Sequence, residues 1–310
     1  MLFIIAGILL AVILVVSYIA FRIGLYYPLP HPDEPHQIPK SRQHMAYKNR
    51  ILSMVREMEA LPCEEVYITS HDGLRLFGRY YHVKDGAPVE IQFHGYKGNA
   101  FQDLCALNRV ARSAGRNTIV VDQRSHGRSD GQVIAMGTKE RFDCQRWAKY
   151  AEARFGPDTP IILSGASMGG GTVLMASDLE LPESVRCIVA DCPFSSPLDI
   201  MRKMTHDKPA KKLIYPFALI GAVVYGHVNM RSSSPVLSVG KAKVPILLIH
   251  GQADRFVPPR MSAAVEAACT GYVRRELFPK AGHNLSAFSD YPRYEKLVNE
   301  FVDDALNGRI

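Results

Sequence analysis

The sequence predicts an α/β fold built on a mostly parallel sheet wrapped by helices. Three observations carry that expectation. Two β-rich runs near residue 70 flank a tight-turn signal, His71-Asp72-Gly73. From residue 89 onward, short apolar runs alternate with helix-patterned stretches, the pattern of βα units. Polar motifs follow those runs, and ligand sites in such sheets lie at the carboxyl ends of the strands.

The chain has 310 residues, of which 47% are hydrophobic, 22% charged and 9% aromatic. It is too apolar to be disordered, and its 23 Gly and 20 Pro follow no repeat period. The six cysteines (Cys63, Cys105, Cys144, Cys187, Cys192 and Cys269) are too sparse for a disulfide scaffold. None sits in a metal-ligand spacing, so neither zinc nor any other metal is expected, and no organic cofactor. The formal net charge is +7. No basic–aromatic interleaving accompanies it, so a nucleic-acid partner is not expected.

Along the chain, Met1 to Phe21 carries no charged side chain and is long enough to cross a hydrocarbon core. Arg22 ends the run, and Tyr26 and Tyr27 stand where interfacial aromatics stand. A cleaved signal peptide is the competing reading. The length of the run and the lack of a basic region before it favour an uncleaved anchor. Residues 1–22 are therefore read as a single membrane span, 23–45 as a Pro-rich linker, and 46–310 as the catalytic domain. Arg22, Lys40 and Arg42 follow the span, which puts that domain on the cytoplasmic side. A helical pattern is expected near Ala46–Leu61, then strands at Val66–Thr69, Leu74–Tyr81 and Val89–Phe93. Further strands are expected at Thr118–Val121, Ile161–Leu163, Cys187–Ala190, Ile246–Ile249 and Val273–Phe278. Helices are expected between them near 100–114, 139–154, 168–178, 261–268 and 294–306.

The strongest motif is Gly165-Ala166-Ser167-Met168-Gly169, a G-x-S-x-G between a strand and a helix. The glycines leave room for a tight crossing that exposes the Ser167 hydroxyl at a helix N-terminus. A serine nucleophile needs a base, and the base needs an orienting acid. Asp254 and His283 follow the last two strands in the order this context requires. Asp191 is an alternative acid. Asp122 is expected to tie down its own loop, with Arg124 nearby. His94 is placed beside the oxyanion loop, and His126 and His250 are read as structural hydrogen-bonding groups. An oxyanion hole is expected from the backbone N–H groups of Met168 and Tyr96, because a tetrahedral intermediate needs fixed donors.

Four blocks now carry a resemblance: HGYKGN, DQRSHGRSDG, GASMGG, and HGQADRFVP with AGHN. With them the chain resembles the α/β-hydrolases over about residues 60–308, and looks most like a membrane-tethered, serine-aminopeptidase-like bacterial branch. The resemblance implies an eight-stranded sheet with helices on both faces. It also implies a cap inserted between the sixth strand and the strand before the acid, at about residues 195–243. Ser125 and His126 depart from the small residue usual in the second block, which is read as loop variation.

The insert has two unlike halves. Met201–Lys212 carries Arg202, Lys203, Lys208, Lys211 and Lys212 against Asp207, whereas Leu213–Tyr225 is uncharged and too short to span. The apolar half is expected to roof an acyl pocket, to lie at a membrane surface beside the basic cluster, or to be a plain buried cap helix beside a solvated charged turn. The chain is thus expected to be a serine hydrolase of hydrophobic acyl esters, working through Ser167, Asp254 and His283 and an acyl-enzyme. Peptide or amide hydrolysis, thioester hydrolysis, acyl transfer and a non-catalytic membrane-anchored scaffold are the alternatives. The sequence names neither the substrate nor the oligomeric state.

Overall fold

The computed structural model describes residues 1–28, 38–206 and 212–310. The strands are β1 Glu64–Thr69, β2 Arg75–Tyr81, β3 Val89–Phe93, β4 Asn117–Val121, β5 Ile161–Ala166, β6 Val185–Asp191, β7 Ile246–Gly251 and β8 Val273–Phe278. They form one sheet in the order β1-β2-β4-β3-β5-β6-β7-β8. β1 and β2 pair antiparallel, as do β2 and β4, and every pairing from β4 to β8 is parallel. The expected strands are all present, most of them one to three residues longer than their apolar cores suggested. The β1–β2 turn closes through Ser70, whose hydroxyl donates to Asp72 and accepts from the Leu74 N–H.

The described helices are α1 Leu2–Gly24, α2 Arg42–Glu59, α3 Ala100–Ser113, α4 Glu140–Phe155, α5 Met168–Ala176, α6 Pro197–His206, α7 Ile214–Val224, α8 Pro235–Ser238, α9 Arg260–Ala268, α10 Ser286–Ser289 and α11 Tyr291–Leu306. The central strands are apolar at successive positions because both faces are covered. Along β7, Leu247 and Ile249 enter the core beneath α2, α3 and α11, and Ile246 and Leu248 enter the core beneath α4, α5 and α9. β3 breaks the apolar rule at Glu90 and Gln92. The Glu90 carboxylate is paired inside the core, with Arg116 at 3.0 Å and both Gln92 and Ser164 donating to it.

The N-terminal segment departs from the expected separation of anchor, linker and domain. α1 is long and apolar enough to cross a membrane and is largely exposed, but Ser17, Ala20 and Phe21 are buried. Ala20 and Phe21 join a third core with Leu25, Met168, Met175 and the cap residues Ala218 and Ala222. Beyond α1, the Tyr27 N–H donates to Gln132 O and the Ile134 N–H to Leu25 O, an antiparallel contact with the domain. Phe21 and Leu25 bury apolar surface here, so residues 23–27 are attached to the domain instead of forming a free linker. At the other end of the expected linker, α2 begins at Arg42, four residues ahead of Ala46, because Ser41 caps it by accepting the His44 N–H. The middle of the expected linker, 29–37, lies outside the described residues.

A close backbone approach at the carboxyl ends of the central strands β3 and β5 sets the position of α5. A methyl group on Gly165 would stand 2.4 Å from the carbonyl group of Gly169, and one on Gly169 would stand 1.9 Å from Phe93 O. Both obstacles are backbone, which cannot rotate aside. Gly169→Ala is therefore expected to cost about 3 kcal/mol or more, or to prevent folding. Gly240→Ala, whose methyl group meets only Ala268 O at 3.4 Å, is expected to stay within about 0.5 kcal/mol of the parent. Urea unfolding of the two variants compares them directly.

Candidate active site

The turn from β5 into α5 holds Ser167 at φ 54° and ψ −115°, a left-handed-side conformation that costs a non-glycine residue of the order of 1–3 kcal/mol. The strain is held in place from both sides. The Ser167 N–H donates to Asp191 O at 2.8 Å, and its carbonyl accepts the Gly171 N–H at 3.0 Å. The side chain is thereby aimed away from the sheet, at the N-terminus of α5.

His283 reaches that hydroxyl from the loop after β8. Its Nε2 lies 2.8 Å from Ser167 Oγ, and its Nδ1 lies 2.7 Å from Asp254 Oδ2. Asp254 comes from the loop after β7, where its Oδ1 accepts the N–H groups of Phe256 and Val257, each at 2.8 Å. Burial alone would raise the Asp254 carboxyl. Hydrogen bonding with His250 and His283 and the Val257 N–H outweigh it and hold the group well below the usual carboxylate range. An ionised Asp254 only accepts, so the proton belongs on His283 Nδ1, which leaves Nε2 to accept from the Ser167 hydroxyl. The three residues named from the sequence are thus brought together, in an order and geometry suited to moving one proton from Ser167 to His283.

Asp191, the alternative acid, is not on His283. It ends β6, its carbonyl holds Ser167, and its buried carboxyl takes a long 3.4 Å hydrogen bond from Ser286. Burial pushes that carboxyl up to about 6.

The loop after β3 carries the other expected donor, Tyr96. Its neighbours are committed. The Gly95 N–H donates to Asp103 Oδ2, the Lys97 N–H to His126 Nε2, and the Gly98 N–H to Gly95 O. Tyr96 therefore supplies the N–H in this run that no hydrogen bond occupies among the described residues. Met168, the other expected donor, is the first residue of α5 and is buried. His94 and His126 buttress the loop as read from the sequence. His94 Nε2 accepts the Gln123 N–H, and the Nδ1 of each ring faces a carbonyl, Gly95 O and Arg124 O. His126 thus has a supporting role where a small residue is usual. His250 is also structural, its Nε2 donating to Val257 O at 2.8 Å.

Asp122 ties down its own loop as expected, but its ion-pair partner is not the nearby Arg124. It binds Arg79 at 2.9 Å and the Arg128 N–H, whereas Arg124 pairs with Asp143 and Asp72. Arg79 lies on the neighbouring strand β2, a partner across the sheet that local sequence does not indicate.

A cavity of about 800 Å³ opens over Ser167 and His283. One wall is apolar, from Ile51, Phe256, Leu285 and Phe288, and the rim carries Arg42, Lys97 and Arg255. Pro39, Ser41, Gln43 and His44 also line it. No described residue of the 195–243 insert lines this cavity, so the expected cap roof is replaced by the start of α2. Burial, and then the neighbouring His283, lower the His44 pKa. Sequence reasoning missed this wall by starting the helix at Ala46. The Ser41 cap signal ahead of the helix was the clue. Of the expected basic cluster, Lys208 and Lys211 lie outside the described residues, as does Asp207.

Two groups have metal-like composition among the described residues. Cys192, Asp254 and His283 offer ligand atoms within 4.8 Å of one another, as do His71, Asp72 and Asp143. In the first, His283 Nδ1 is engaged by Asp254, and burial raises the Cys192 thiol, which keeps it protonated. In the second, the Arg124 guanidinium already neutralises both carboxylates. Cys192, at φ 45° beside the triad, was overlooked in the sequence.

A family model described as the alpha/beta hydrolase fold matches residues 91–233. The chain has the α/β-hydrolase fold. It is 25% identical to the uncharacterized protein YqkD of Bacillus subtilis over 72% of this chain and 74% of that one. It is 24% identical to the protein bem46 of Schizosaccharomyces pombe, covering 70% of this chain and 68% of the relative. Among solved structures, the Pyrococcus furiosus esterase Pf2001 superposes with a TM-score of 0.63 at 19% identity, covering 88% of this chain and all of that one. The chain therefore shares its fold with a solved esterase.

The Asp191 carboxyl is buried. Its folded-state pKa of about 6 lies above the ordinary 3.8, so the folded protein binds more protons between those values. Stability is then lost as pH rises through that window. Asp191→Asn removes the liability. Its Tm gain over the parent is expected to be largest above pH 6 and to shrink toward pH 4, as read by thermal unfolding at the two ends.

Proposed function

We propose that this chain cleaves carboxylic acyl esters through a serine acyl-enzyme. The observation that carries the reading is the unbroken relay from Ser167 through His283 to Asp254 at the floor of an apolar cavity. His283 Nε2 takes the proton as Ser167 Oγ attacks the ester carbonyl carbon. The carbonyl oxygen becomes an oxyanion, met by the backbone N–H groups of Tyr96 and Met168. Collapse of the tetrahedral intermediate breaks the bond to the alcohol oxygen, which leaves with the proton from His283. Water then gives a proton to His283 and attacks the acyl carbon, and the second collapse returns that proton to Ser167 and frees the acid. Asp254 stabilises the imidazolium in each half.

The cavity rim favours esters over the peptide reading. An exopeptidase that grips a terminal amine needs an acidic partner. The lining here offers Arg42, Lys97 and Arg255, and its carboxylate, Asp103, is half-buried and bonded to the Gly95 N–H. α1 is proposed as a single membrane span, with the hydrolase domain on the cytoplasmic side on the strength of the basic residues that follow it.

Ser167→Ala is expected to abolish labelling by a fluorophosphonate probe while thermal unfolding stays unchanged. Asp254→Asn is expected to lower kcat on a p-nitrophenyl ester about 10⁴-fold by favouring the wrong His283 tautomer. Persistent labelling of the Ser167 variant, or faster turnover of matched anilides than of esters, contradicts the reading.

A further inference from the structure

The cap helix α7 does not cover the cavity; it packs on α1. Their contact is close because the facing residues are small. A methyl group on Gly221 would stand 2.3 Å from Ser17 O, and Ala218, Ala222 and Ala20 are buried in the same core. Such small-residue approaches are typical of helices paired within membranes. Tyr225 adds a hydroxyl hydrogen bond to Leu14 O at 3.1 Å and an edge contact with Tyr18.

The opposite face of α7 is also apolar. Leu213 is 75% exposed, Ile220 37%, Val223 57% and Val224 44%, a stripe at helical spacing. No charged residue occurs from Leu213 to Gly226. A helix on an aqueous surface would carry polar residues there.

The contact with α1 gives this stripe a depth. Leu14 precedes Arg22, the first charge after the apolar run, by a rise of about 12 Å along the helix. The α7 backbone sits shallower than Leu14. Gly221 faces Ser17 O, about 8 Å short of the level of Arg22, and Gly226 meets the Phe21 ring. This part of the helix thus lies within the roughly 5–10 Å at which interfacial helices sit. At the level of Arg22 itself, polar groups gather. Arg22 lies over the Tyr26 ring at 4.2 Å, Lys97 Nζ donates to Ile23 O at 3.0 Å, and the Tyr96 hydroxyl donates to Gly24 O. Tyr96 and Lys97 also line the cavity.

We propose that α7 is seated in the lipid layer beside α1, at the boundary between headgroups and acyl chains, with its Leu213–Val224 stripe facing lipid. The pair holds the cavity rim at the membrane surface, so an acyl ester dissolved in the bilayer reaches Ser167 without first crossing bulk water. The seating rests on α1 being a membrane helix, and the ester delivery rests on the function proposed above.

Two measurements on the full chain test this. Val223→Trp and Leu9→Trp variants are reconstituted in phosphatidylcholine vesicles carrying acyl-brominated lipids, with the fully buried Trp147 as the unquenched background. Trp at 223 is expected to be quenched, more by bromines near the headgroup than near the bilayer centre. Quenching at 9 without quenching at 223 overturns the seating of α7 and leaves the span intact. Quenching at neither overturns both. Second, an Ile220→Asp, Val223→Asp variant is expected to hydrolyse a vesicle-borne ester about tenfold more slowly than the parent, with a short water-soluble ester unaffected. Equal rates on the vesicle-borne ester overturn delivery from the lipid. A parent inert toward both esters would instead indict the hydrolase reading, and the quenching result would stand apart from it.

Discussion

The turn from β5 into α5 passes so close to the end of β3 that only glycine fits at residue 169, where any side chain would meet the Phe93 carbonyl. That approach fixes the distance between two loops that must act on the same atom. One carries Ser167 and the Met168 N–H, and the other carries Tyr96. If α5 were displaced by even a methyl group's width, the serine and the donors for a developing oxyanion would separate. Ser167 is held at φ 54° by hydrogen bonds to Asp191 and Gly171, so its strain is borne by the sheet and by α5 and does not relax into solvent.

Around this crossing, buried groups each have one role. His94 and His126 face a carbonyl with one ring nitrogen and accept a backbone N–H with the other, an arrangement that suits the neutral ring. Asp103 holds the Gly95 N–H, and Gly98 is required because a methyl group there would stand 2.0 Å from the same carboxylate. The loop between β3 and α3 is therefore fixed before any substrate arrives. Preorganised donors of this kind act without reorganisation at the moment of reaction.

Much of this was legible in the sequence because it is local. The β-rich runs, the G-x-S-x-G crossing and the order of Ser167, Asp254 and His283 are short patterns with direct physical meaning, and the structure brings those three residues within hydrogen-bond reach. What escaped is non-local. The pairing of Asp122 with Arg79 crosses between strands, and Cys192 enters the site only because β6 ends beside β7. The Pro-rich stretch suggested a free linker. The burial of Phe21 and Leu25 against the cap, and the docking of α2 over the cavity, depend on surfaces that no single segment reveals. The apolar half of the insert was recognised as unusual, but its partner, α1, lies about 200 residues away in the sequence.

The account depends on Ser167 forming a covalent bond to the acyl group during turnover. Acid-quenching the enzyme during turnover of a slowly hydrolysed p-nitrophenyl ester, followed by peptide mass mapping, tests this directly. The account predicts the acyl mass on the peptide containing Ser167. Turnover with the acyl group on another residue, such as Cys192, or persisting undiminished in Ser167→Ala, would contradict it.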